Sequence, residues 1–83
     1  MKIADYAEKF GWGVAQEMFE DSGVSREMPA DRIGRYAAAM LPINCSFYGK
    51  HWGDLRKETQ LDIQKVAHQA AAAQWVELTS EVP

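Results

Sequence analysis

The side chains able to do chemistry are few and scattered. The 83 residues hold two histidines and one cysteine. No ligand triplet surrounds His51 or His68, and neither HExxH nor CxxC occurs, so no metal site is expected. Cys45 with a distant histidine is the one nucleophile–base pair to weigh. Its place between Ile43 and Phe47 reads instead as a small apolar side chain in an apolar connection. GxSxG is absent, and no glycine-rich phosphate loop follows a strand. The carboxylates fall on polar helix faces, where water solvates them. No cofactor is expected, and the chain reads as a non-enzyme.

Composition narrows the class further. A hydrophobic fraction of 47% with 25% charged residues is globular and excludes disorder. The length fits one small domain, residues 1–83. A single thiol allows no intramolecular disulfide. The net charge of −3 argues against a generic nucleic-acid binder, which carries a basic excess. No run approaches the roughly 18 apolar residues of a membrane span. Met1–Tyr6 carries Asp5 and lacks the apolar stretch of a secretory signal. The expected location is the cytoplasm.

The elements that must position these residues are helical. Apolar periodicity predicts an all-α bundle of three principal helices, over residues 2–20, 29–41 and 57–78. In the first, Ile3, Ala7, Phe10, Val14 and Met18 share one stripe, and Asp21-Ser22-Gly23 ends it with Gly23 placed for a left-handed residue. In the second, Pro29 suits the first turn, Ile33, Tyr36, Ala37 and Met40 form the buried stripe, and Pro42 is the stop. In the third, Thr59 and Asp62 resemble a capping box, and Ile63, Val66, Ala67, Ala70 and Ala73 form a stripe. Residues 79–83 read as a frayed tail. Between the second and third helices, Ile43, Cys45 and Phe47 alternate with polar residues. That stretch reads as an apolar connection, since no second strand offers itself for pairing, with a short fourth helix near 46–55 as the variant.

Two helices carry more apolar circumference than a three-helix bundle needs. Trp12 and Phe19 lie on one line, about 150° from the centre of the first helix's stripe. Leu61, Ala72 and Trp75, with His68 in the same row, lie opposite Ile63 and Val66. Either these sides are covered within the monomer, or they form a face for another protein or a second copy. Tryptophan is enriched among interface anchors. The candidate partner-binding residues are therefore Trp12, Phe19, Leu61, His68, Ala72 and Trp75. Gly11-Trp12-Gly13 either breaks the first helix or lets another helix approach its backbone. Arg32, Arg35, Arg56 and Lys57 could converge into a basic patch, the basis of an alternative reading as a small nucleic-acid-binding transcriptional regulator. The third helix has few side chains able to reach base edges, which weighs against that alternative.

One longer pattern stands out: Trp52-x-x-Leu55-x-x-x-Thr59-Gln60-x-x-Ile63-x-x-Val66-Ala67, preceded by Gly34-Arg35-Tyr36-Ala37-Ala38. It resembles small phage and prophage proteins in which a tryptophan and a leucine precede a Thr-Arg helix start. Gln60 stands where those proteins carry arginine, and Ile63 where they carry an aromatic residue. The pattern is a folding device that fixes a helix's starting angle. The resemblance implies mobile-element ancestry and a role in binding a host protein, as inhibitors of host defence do. The sequence as a whole reads as a non-enzymatic interaction module that occludes a partner protein, with a homodimer as its close neighbour.

Overall fold

The computed structural model describes residues 3–44 and 52–80 in full, and the backbone of 46–47 and 50–51. It is an all-α bundle of three helices, α1 (Ile3–Glu20), α2 (Ala30–Asn44) and α3 (Lys57–Ser80). At a rise of 1.5 Å per residue α3 is about 36 Å long, and it sets most of the 43 Å length of the molecule.

The buried positions of α3 explain the arrangement. They are Ile63, Ala67, Ala71 and Trp75, one every four residues. Each step of four overshoots a full turn by about 40°, so the line winds roughly 120° around the helix from Ile63 to Trp75. One straight neighbour cannot cover such a line, and two crossing helices can. Ala7 shares a cluster with Leu41, Ile63 and Ala67, while Val14 and Ala15 join Ile33, Ala71 and Trp75. Hence α1 runs parallel to α3 and α2 antiparallel to it. Both touch α3 far more extensively than they touch each other.

Helix α1 passes through both glycines without a break. Gly11 is buried, and a Cβ on it would lie 2.5 Å from the Ala67 carbonyl oxygen and 3.0 Å from both Ala70 Cβ and Ala71 N. The alanine run of α3 therefore seats directly on the α1 backbone, which is the close-approach reading of this glycine. The helix ends in a different way from the one expected. Gly23 does not adopt a positive φ. Instead the Asp21 carboxylate accepts a hydrogen bond from Gly23 N at 2.8 Å, an Asx turn that needs no left-handed residue.

Pro29 precedes the first residue of α2, and its carbonyl accepts Arg32 N at 3.0 Å. Pro42 does not stop the helix, which continues to Asn44. A proline inside a helix deprives the carbonyl four residues earlier of its donor. That carbonyl belongs to Ala38, and Gln64 of α3 supplies the missing bond, with Nε2 donating at 2.9 Å. In the last turn Asn44 Nδ2 donates to Met40 O at 3.1 Å, and the Tyr6 hydroxyl donates to Asn44 O at 3.2 Å.

The connection to α3 does find a partner strand. Ser46–Phe47 (β1) pairs antiparallel with Lys50–His51 (β2), a ladder two residues long that adds no sheet layer. So residues 46–47 and 50–51 do not belong to a fourth helix, and Trp52–Asp54 forms a 3₁₀ turn. Trp52 and Leu55 close the Ala7–Leu41–Ile63–Ala67 cluster, and Gln60 Nε2 donates to the carbonyls of Trp52 at 2.9 Å and Leu55 at 3.3 Å. Arg56 takes the N-cap position, its carbonyl accepting Gln60 N at 2.9 Å. Thr59 and Asp62 are thus interior helical residues rather than a capping box. Helix α3 also extends two residues beyond Leu78, and Thr79 Oγ1 donates to Trp75 O at 2.8 Å. Residues 81–83 of the expected tail, and Cys45, lie outside the described residues.

Candidate functional site

Of the six residues expected to meet a partner, Trp75 is core. It is 2% exposed and sits against Val14, Ala15, Ile33 and Ala71. Its Nε1 donates to Met28 O at 2.8 Å, which ties the segment before α2 to the end of α3. The winding of the buried line brings it inward: a wheel centred on Ile63 and Val66 places Trp75 outside, but by the far end of α3 the core has rotated toward it. Phe19 is half-buried and occupied within the chain. Its ring meets Trp75 edge to face at 6.1 Å, and the Arg26 guanidinium lies 3.5 Å over it.

His68 serves the α2–α3 crossing. Its Nε2 is 2.9 Å from Asp31 Oδ1, and the other oxygen of Asp31 accepts Arg35 Nε at 2.8 Å. The backbone here is close as well, for a Cβ on Gly34 would clash with the His68 ring and lie 2.6 Å from the His68 carbonyl oxygen. His68 thus reads as a fastening between helices, with its ring held by a carboxylate.

Three surfaces remain. Trp12 is 43% exposed on the flank of α1 away from α2, between the polar side chains of Glu8 and Gln16 one turn to either side. Leu61 and Val76 are exposed on α3 with half-buried Ala72 between them, and this stripe also carries Lys65. Sequence reasoning missed the third surface. Because α1 and α2 meet less extensively than either meets α3, a cleft of about 260 Å³ opens between them, lined by Phe10, Gly13, Val14, Glu17, Tyr36, Met40 and Asn44. Tyr36 is 45% exposed at its edge rather than part of a buried stripe, and the buried line of α2 is Ile33, Gly34, Ala37 and Leu41. Ile43, one turn beyond Met40 on the same side, is 74% exposed. The signal was present: Tyr36, Met40 and Ile43 follow a second apolar line beside the first.

The four basic residues do not converge. Arg35 is paired with Asp31, which also meets His68, and Arg32 is exposed near the start of α2. Arg56 and Lys57 begin α3, with Lys57 eleven residues before His68, or roughly 16 Å along the axis. Among the described residues no three His, Cys, Asp or Glu side chains could hold a metal ion, and no helix is long and apolar enough to cross a membrane. The fold therefore defines a small three-helix bundle with apolar side chains on its outer faces. No family model matches the sequence, and no curated protein or solved structure is significantly similar to it.

Proposed function

We propose that the protein is a non-enzymatic, cytoplasmic interaction module that lays the Trp12 side of α1 against a partner protein and occludes the surface it covers. The observation that carries this reading is the placement of Trp12: a large indole nearly half exposed, on the flank of α1 next to the side that Gly11 seals against the α3 alanines. An aromatic side chain ringed by polar residues has the form of an interface hot spot. The likeness of the Trp52–Ala67 pattern to small phage proteins supports a setting in which the partner is a host protein and the chain an accessory or inhibitor.

The test replaces Trp12 with a photo-crosslinking residue and with alanine. The crosslinker at position 12 should trap one dominant host polypeptide, and at exposed Glu77 none. Trp12→Ala should weaken binding of that polypeptide by tenfold or more, about 1.4 kcal/mol, with no loss of thermal stability. Equal binding by Trp12→Ala removes the reading.

A further inference from the structure

The two other open surfaces of this chain are complementary to each other. The α1–α2 cleft is a concave apolar trough holding one carboxylate, Glu17, and a backbone notch at Gly13, with nothing within 4 Å of where a Cβ would stand. The Leu61–Lys65–Ala72–Val76 stripe of α3 is a convex ridge with exposed Leu61 and Val76 at its two ends, half-buried Ala72 one turn before Val76, one cation at Lys65, and His68 and Gln69 between Lys65 and Ala72. No residue of α3 lines the cleft. Trough and ridge therefore lie on different parts of the surface, and neither can fill the other within one chain.

The geometry points to head-to-tail self-association, in which the α3 ridge of one copy lies in the α1–α2 trough of the next. The internal packing shows the device already in use. Gly11 and Gly34 are notches into which α3 of the same chain is pressed, on the Ala67–Ala71 backbone and on His68. Gly13 is a third notch, open to the outside. A fourth helix seated there would complete a four-helix arrangement around α1 and α2.

The residues set a register. With Ala72 of the incoming copy over Gly13 and that helix antiparallel to α1, Val76 falls toward Phe10 and Met40. Lys65 then lies seven residues, about 10 Å, toward the end that holds Glu17. Glu17 is about 6 Å from Gly13 along α1, so the flexible lysine stem spans the difference. Glu17 and Lys65 are exposed, and neither has an ion-pair partner among the described residues. Two turns of helix in a shallow trough make a small interface, below the roughly 1,000 Å² of stable complexes. The association is accordingly weak and concentration-dependent, and because the two surfaces differ it grows by addition rather than closing as a symmetric pair. It uses residues apart from Trp12, so either proposal can fail alone.

Sedimentation velocity from about 10 µM to about 500 µM, at low salt, tests it. The mass of the unmodified chain should rise with concentration. Tyr36→Glu spoils only the trough and Val76→Glu only the ridge, so each alone should stay monomeric. Their equimolar mixture should form a dimer that grows no further, because one good trough meets one good ridge. Glu17→Lys, an exposed change that leaves the fold intact, should weaken association a few-fold, and adding Lys65→Glu in the same chain should restore it. A monomer throughout the range overturns the proposal. So does a mixture that stays monomeric while circular dichroism shows both variants helical, since that marks a symmetric interface.

Discussion

The two sides of α3 are joined to their neighbours by different means. On the α1 side, Gly11 brings the α1 backbone against the Ala67–Ala71 backbone, and shape alone sets the distance. On the α2 side the surfaces also meet closely, at Gly34 and His68, but side chains of α3 reach across. Gln64 donates to Ala38 O, His68 meets Asp31, and Trp75 donates to Met28 O. Apolar contact is non-directional and tolerates sliding, whereas a hydrogen bond to one particular carbonyl does not. The α1 side thus supplies close packing, and the α2 side fixes which residue faces which. It is also the side where a proline has freed a carbonyl, so the defect within α2 becomes the attachment point for α3.

The largest expected effect strikes the side held by shape. Gly11→Val places a branched side chain where even a Cβ lies 2.5 Å from a backbone oxygen, and no rotamer change relieves that. We expect a loss of about 3 kcal/mol or more, a large share of the roughly 4–12 kcal/mol of a domain this size. Thermal unfolding should fall by at least 12 °C. A loss below about 1 kcal/mol would mean that α1 can shift on α3, and the contrast between the two sides would disappear.

The next effect tests the proline on the other side. Gln64→Leu keeps the bulk and removes the donor, leaving Ala38 O unsatisfied in a half-buried seam. About 1–2 kcal/mol should be lost. In a Pro42→Ala background the helix regains its own donor for Ala38 O. The same Gln64→Leu change should then cost less than half as much, measured as a double-mutant cycle in urea. Additive losses would show that Gln64 contributes through packing and not through that carbonyl.

Much of the architecture was legible from periodicity. The three helices and their starting points followed from apolar spacing, and the Trp52–Leu55 pattern indicated how α3 is anchored. The errors have physical causes. A proline ends a helix only if its orphaned carbonyl finds no other donor, and Gln64, 26 positions from Ala38, cannot be seen by local reading. Trp75 was misplaced because a helical wheel assumes a straight stripe, whereas a line stepping by four winds around the axis. In the sequence Tyr36 and Met40 read as core because apolar residues on a helix are indistinguishable until a neighbour's closeness is known. That closeness, greater at α3 than between α1 and α2, is a tertiary property. Of the expected contact residues, Trp12 and Leu61 are exposed and Ala72 is half-buried; on α3, Leu61 and Ala72 stand off the winding line that carries Trp75 inward.

The smallest effect has the opposite sign and sharpens the comparison most. Gly11 and Gly13 are two residues apart in one helix, yet about 200° apart around it, so one is pressed against α3 and the other faces open space. Glycine within a helix costs up to about 1 kcal/mol relative to alanine, through backbone entropy in the unfolded chain. Where nothing opposes a methyl group that cost should be recovered. Gly13→Ala should therefore raise stability by about 0.5–1 kcal/mol in dilute solution, some 2–8 °C in thermal midpoint, while Gly11→Ala lowers it. The pair holds residue type, substitution and helix constant and varies only the neighbour, so the difference between the two shifts measures the close approach of α3 alone. If Gly13→Ala also destabilised the monomer, the space beside Gly13 could not be open, and the trough between α1 and α2 would be filled by some other part of the chain.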